Sequence, residues 1–183
     1  MLETSIAGSL PRPDWLAEPE TLKGAWKLSG QALEDGKRRA AADWLRHQEE
    51  AGIHTVTNGE VFRTHFVHGF LEGLTGIWQK MTRMGIRNNR YELDVPTVTG
   101  PLSRPLPVHL DEVCFSRAQT QATFKFTLPG PMTICDTIAN GYYGSRPEMA
   151  LAFADILNAE AKELEAAGVD VIQFDEPAFN VFM

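Results

Sequence analysis

Two stretches of the chain share one rhythm of apolar and polar positions. Across residues 31–51, Leu33, Ala40, Ala41, Trp44, Leu45 and Gln48 recur at three- and four-residue steps, leaving Lys37, Arg38 and Glu49 for water. That period predicts an amphipathic helix. Gly52 follows where a helix stop needs positive φ, and residues 53–57 alternate as a strand. The rhythm returns later: Met149, Phe153, Ile156, Leu157 and Leu164 form one apolar stripe, with Lys162, Glu163 and Glu165 mainly off it. Pro147 suits a first helical turn and Ser145 a cap. Gly168 closes this helix and residues 169–174 read as a strand. The decapeptides "AGIHTVTNGE" (51–60) and "AGVDVIQFDE" (167–176) thus share one build, Ala-Gly, an apolar alternation and an acidic end. A spacing of 116 residues (Gly52 to Gly168) is too long for a solenoid and natural for successive β/α units of one parallel sheet.

The remaining pieces fit that frame. "LETSIAGS" (2–9) reads as a short strand ending at a Gly-Ser turn, followed by the breaker "PRP". Residues 78–84 and 90–98 flank "GIRNN", which predicts a hairpin excursion at about 77–98. Residues 108–121 contain a short helix, and "ATFKFTLPGP" (122–131) is an alternating strand that ends at Pro-Gly-Pro. Four strands, at about 2–7, 53–58, 122–128 and 169–174, are expected in one parallel sheet of an α/β domain.

Composition narrows the function classes. With 183 residues and 43% apolar positions the chain can build one real core. A net charge of −7, with no Lys/Arg block longer than two or three residues, argues against nucleic acid or an anionic membrane as partner. The longest apolar stretch, 149–154, falls far short of the roughly 20 residues that span a bilayer. The N-terminal residues do not read as a signal peptide. Cys114 and Cys135 form no CxxC pair, so a reducing cytoplasm is the expected setting.

In parallel sheets, ligands gather at the carboxyl ends of the strands. The four predicted ends carry Gly8-Ser9, Asn58-Gly59-Glu60, Pro129-Gly130-Pro131 and Asp175-Glu176-Pro177. A serine hydroxyl can hold a carboxylate, and two acids facing one cavity suit an ammonium group. Pattern alone leaves a second reading open, because acids at strand ends also accept bonds from helix N-terminal amides. His65 and His68, three residues apart, could share a metal but have no third ligand nearby. Cys135 and Asp136 could line a cavity or sit inert, and the tyrosines of "NGYYG" could form a lid or a packed turn. No phosphate loop and no GxSxG occur.

"IAGSLPRP" (6–13), "QEEAGIHTVTNGEVFR" (48–63), "FTLPGPMTI" (126–134) and "LEAAGVDVIQFDEPAF" (164–179) stand in the order found in cobalamin-independent methionine synthase. The chain resembles that family's C-terminal catalytic barrel over nearly its whole length, most loosely between residues 75 and 121. The resemblance implies a (β/α)8 TIM barrel, represented here by about its first four β/α units, with residues 1–183 as the N-terminal half of a single barrel. It implies methyl transfer to the zinc-bound thiolate of homocysteine, giving methionine. It assigns Glu60 and Asp175 to the substrate's amino group and Ser9 to its carboxylate. The family's zinc ligands, a His-x-Cys pair, a glutamate and a final cysteine, are expected beyond Met183, so no metal ligand or catalytic residue is expected within these residues. A typical barrel needs about 250 residues, so the fragment alone is expected to be inactive. The long synthases stack a folate pterin on a tryptophan shortly after the "GPVT"-like motif, where Thr137 stands here. The donor is therefore left as folate or another carrier, with a partner protein as a route of delivery. Two alternatives stay beside this reading: a related thiol methyltransferase or decarboxylase-like member of the superfamily, and a non-catalytic binding half-domain.

Overall fold

The computed structural model describes residues 2–18, 25–77 and 80–182. Along the chain run α1 (Gly30–Glu50), β1 (Thr55–Val56), α2 (His68–Leu71), β2 (Met81–Ile86), β3 (Tyr91–Val98) and α3 (Leu110–Ala118). They are followed by β4 (Thr123–Pro129), α4 (Pro131–Asp136), β5 (Ala139–Asn140), α5 (Arg146–Ala166), β6 (Val171–Asp175) and α6 (Phe179–Phe182). The two long helices lie where their periods place them. Gly52 (φ 75°) and Gly168 (φ 99°) follow them in the left-handed conformation. Ser145 caps α5, its Oγ accepting from Glu148 N at 3.2 Å, and Pro147 sits in the first turn.

β1, β4 and β6 form a parallel sheet in the order β1-β4-β6. Its helix-facing side is aromatic and aliphatic: Phe124, Phe126 and Leu128 of β4 are buried against Phe153, Leu157 and Leu164 of α5. A second cluster joins Ala40 and Ala41 of α1 to Leu16 and Val61. The other side of the sheet is polar, with Lys125, Thr127, Gln173 and Asp175 on alternate positions of β4 and β6. Among the described residues the fold is thus α/β with a parallel sheet and helices, and the sheet remains open. β2 and β3 pair antiparallel, and β5 joins β3 in a second small sheet. Trp78 and Gln79, inside the predicted hairpin segment, lie outside the described residues.

Two predicted strands are shorter than their patterns. Residues 2–7 make only a parallel bridge, Ser5 to Thr55, instead of a strand. The next carbonyl on the β1 side, Ile6 O, is taken by Lys125 Nζ, and Ala7 O accepts from Lys125 Nζ and, at 2.9 Å, from Gln173 Nε2. The strand at 53–58 contracts to Thr55–Val56 for a similar reason. Gln48 of α1 donates to Thr57 O (2.7 Å) and accepts from Thr57 N (3.0 Å), so an amide side chain replaces a neighbouring strand. The fourth strand begins at Val171, two residues later than predicted, because Val169 N still bonds back to Leu164 O.

Candidate functional site

After β1 the backbone makes a tight left-handed reversal. Gly59 has φ 69° and Glu60 φ 57°, the latter a conformation seldom adopted by a residue with a Cβ. Neighbours fix it from several sides. Asn58 Oδ1 accepts from Glu60 N (3.0 Å), Asn58 Nδ2 donates to Ser116 Oγ (3.3 Å), and Leu10 N donates to Gly59 O (3.0 Å). The reversal turns the Glu60 side chain, 6% exposed, under the polar side of the sheet. There Oε1 accepts from Thr127 Oγ1 at 2.9 Å and Oε2 lies 3.8 Å from Arg63 Nη1. Gly8 is needed at this point, since a Cβ there would stand 2.5 Å from Glu60 Oε1.

A cavity of about 290 Å³ opens over this carboxylate, lined by Ser9, Arg12, Gly59, Glu60, Arg63 and His65 among others. Ser9 is exposed at its rim. Arg12 clamps the wall, donating through Nη2 to Arg63 O and Thr64 O and lying over the Trp26 ring. Burial lowers the Arg12 pKa, while Glu60 works in the opposite direction. Asp175, half-buried on the polar face, accepts from Gln173 Nε2 at 2.6 Å. Lys125 sits in the field of both acids. Burial lowers its pKa, and Asp175 and Glu60 oppose that shift.

The two adjacent acids at the end of β6 have different surroundings. Glu176 accepts from Met132 N (2.8 Å) and Thr133 N (2.7 Å), the first amides of α4. Gly130 makes room for it, because a Cβ there would come within 2.1 Å of the carboxyl carbon. Glu176 therefore follows the amide-accepting alternative left open by the sequence pattern, whereas Asp175 lies on the polar face of the sheet.

Other sequence candidates take structural roles. His65 Nδ1 accepts from Val67 N (3.2 Å) and His68 N (3.3 Å), shaping the start of α2. Among the described residues no group of three or more His, Cys, Asp or Glu side chains is placed to hold a metal. Cys135 is buried, and desolvation raises its thiol to about 11, so it stays protonated near neutrality. Asp136 is buried between Arg87 of the hairpin turn (3.8 Å) and Arg146 of α5 (3.6 Å). Asn140 ties its own loop, accepting from Tyr143 N and donating to Tyr143 O, while Tyr143 Oη accepts from Leu102 N. This turn is packed at Tyr143 and exposed at Tyr142.

The sequence reading does not single out Lys125 or the buried group behind Glu60. Arg63 donates to Glu112 Oε1 from Nε (3.4 Å) and Nη2 (3.3 Å), with its guanidinium 4.5 Å from the Phe126 ring centre. His109 Nδ1 lies 3.4 Å from the same oxygen. Desolvation pushes Glu112 up to about 7 against the pull of Arg63, and burial holds His109 well below its usual range. Two local signals exist for parts of this network, the i,i+3 pairs Glu60–Arg63 and His109–Glu112.

Comparison with known proteins bears on the family and the fold. The family model described as "Cobalamin-independent synthase, Catalytic domain" matches residues 2–182. A methionine synthase of Sulfolobus acidocaldarius is 36% identical over 181 residues, covering 98% of this chain and 53% of the relative. One from Sulfurisphaera tokodaii is 34% identical with the same coverage. The solved structure of a B12-independent methionine synthase from Shewanella sp. W3-18-1, in complex with selenomethionine, superposes with a TM-score of 0.92 at 54% identity. That superposition covers 99% of this chain and 53% of the Shewanella chain. The chain thus spans about half the length of the curated relatives it matches, 53% in the two described here. On the match over residues 2–182, the chain belongs to the cobalamin-independent synthase catalytic-domain family.

Proposed function

We propose that these residues form the amino-acid-binding half of a (β/α)8-type barrel that methylates the thiol of homocysteine, giving methionine. The observation that carries the reading is the carboxylate of Glu60, buried in a strained turn under a cavity whose rim bears Ser9. Strain of this kind persists where the surroundings over-determine it, and such places cluster at ligand sites. The selenomethionine bound by the Shewanella relative is an α-amino acid of the product's shape, which supports the same ligand class here.

In this reading the substrate ammonium lies against Glu60 and Asp175, and its carboxylate takes the Ser9 hydroxyl. Ion-paired hydrogen bonds of this type are stronger where water is excluded. Holding the amino-acid end fixes the sulfur relative to the methyl carrier and removes the entropy of a bimolecular encounter. The sulfur, having lost its proton, then forms its bond to the methyl carbon as the carrier's bond to that carbon breaks, and the carrier leaves with the bonding pair and takes up a proton. Among the described residues no group of side chains fits a zinc site by itself, and no step here is routed through the metal implied by the family. Thr137, whose Oγ1 donates back to Thr133 O and Ile134 O, has no aromatic ring on which a pterin could stack. This favours a methyl carrier held by other means than in the long synthases.

The test is calorimetric titration of the full-length protein with L-homocysteine and L-methionine. Asp175→Asn and Glu60→Gln are each expected to weaken binding by about tenfold or more, the size of one hydrogen bond to a charged group. Unchanged affinity in both variants sinks the assignment.

A further inference from the structure

Arg63 forms the wall between two cavities. On one side lies the Ser9–Glu60 cavity, and on the other a polar one of about 270 Å³ bordered by His109 and Glu112. The side chains of Glu60, Arg63 and Glu112 are all nearly fully buried, at 6%, 3% and 7% exposure. One guanidinium therefore stands between two carboxylates, and its hydrogen bonds are divided unequally. Nε and Nη2 both point to Glu112 Oε1, at 3.4 and 3.3 Å. Only Nη1 turns toward Glu60, at 3.8 Å from Oε2, and it donates at 3.5 Å to Thr127 Oγ1. Thr127 in turn donates to Glu60 Oε1 at 2.9 Å.

An arginine facing a single carboxylate tends toward a bidentate pair that occupies both oxygens. That pair would neutralise Glu60 and leave it a poor receptor for a cation. Glu112 draws two of the three guanidinium nitrogens away, and stacking on Phe126 fixes the plane. Thr127 occupies Oε1, so Oε2 keeps its acceptor capacity, beyond hydrogen-bond distance of Arg63.

We propose that Glu112 is a positioning residue for the amino-acid site: it holds Arg63 off Glu60, so that Glu60 Oε2 remains available to the ligand's ammonium group. The proposal rests on the reading of Glu60 as the ammonium receptor. It adds a specificity determinant that touches no ligand, about fifty residues along the chain from the acid it serves.

The experiment compares two ligands in the full-length protein near pH 8, where Glu112, with a pKa of about 7, is ionised. One is L-methionine and the other 4-(methylsulfanyl)butanoate, the same molecule without its amino group. Their affinity ratio isolates the ammonium contact from general folding and packing. Glu112→Gln is expected to lower the ratio roughly tenfold, with the desamino ligand bound as before. In a Glu60→Gln background the second substitution should change the ratio no further, since the contact is already lost. Thr127→Val, close to isosteric, frees Oε1 for Arg63 and should lower the same ratio, so the proposal stays testable if Glu112→Gln folds poorly. An unchanged ratio in Glu112→Gln and Thr127→Val, with a lowered ratio in Glu60→Gln, overturns the positioning role alone. A ratio unmoved by Glu60→Gln overturns the receptor reading and this inference with it.

Discussion

Glu60 is an L-residue held at φ 57°, a conformation that costs on the order of 1 kcal/mol, and the surroundings supply enough bonds to keep it there. Behind it, Glu112 makes a measurable prediction about pH. Desolvation sets its folded pKa at about 7 against an ordinary value of 4.5. Between those values the folded state keeps a proton that the unfolded state has released, so stability falls as pH rises. The contribution is fully present below pH 4.5 and is lost as pH rises through 7, a change on the order of 3 kcal/mol. Urea unfolding of the protein and of Glu112→Gln at pH 4.5 and 7.5 should therefore show the difference in stability shifting against the native residue by that order. A difference that stays flat across the window would refute the assignment. The strand-end pattern brings Glu60 and the pair Asp175-Glu176 into view, and only the family resemblance chooses Asp175 from that pair. Lys125 is not legible in this way, because its partners Ile6 and Ala7 are 119 and 118 residues away and no local pattern records the meeting.

Among elements, β1 shows how a side chain can stand in for a strand. Gln48 closes two hydrogen bonds on Thr57 that a neighbouring ladder would otherwise make. Gln48→Leu keeps the volume and strands a buried N–H and a buried C=O, which should cost about 2–4 kcal/mol. Gln48→Glu retains the acceptor but sets a buried carboxylate against Trp44 O and Thr57 O, so at neutral pH it should cost at least as much. Denaturant midpoints at constant m-value would check this order, and equal stability of all three proteins would contradict it. The same exchange explains what periodicity could read. Helices satisfy their own backbone, so the predicted 31–51 and the observed Gly30–Glu50 nearly coincide. Strands draw on whatever lies beside them, and at residues 6, 7 and 57 that is a lysine or glutamine side chain, which alternation cannot distinguish from a neighbouring strand.

At the scale of the whole molecule, β6 is the edge of the parallel sheet among the described residues, with apolar surface in view. Val171 is 39% exposed, Phe174 46% and Phe179, just beyond the strand, 51%. A groove of about 730 Å³ runs beside it, lined by Pro131, Met132, Cys135, Pro147, Ala150 and Leu151. Exposed strand edges and contiguous apolar patches of this kind drive association unless something covers them. Under the barrel reading, the cover is the part of the relatives that the present residues do not span. That reading assigns opposite consequences to one substitution. In a polypeptide of residues 1–183 alone, Phe174→Lys should reduce self-association in sedimentation while leaving the circular dichroism spectrum unchanged. In the full-length protein the same change would bury a charge against the covering units, and should cost about 3 kcal/mol or more of stability. If the full-length protein tolerates Phe174→Lys without loss, this face of β6 is not covered there, and the closed barrel is the wrong architecture for it.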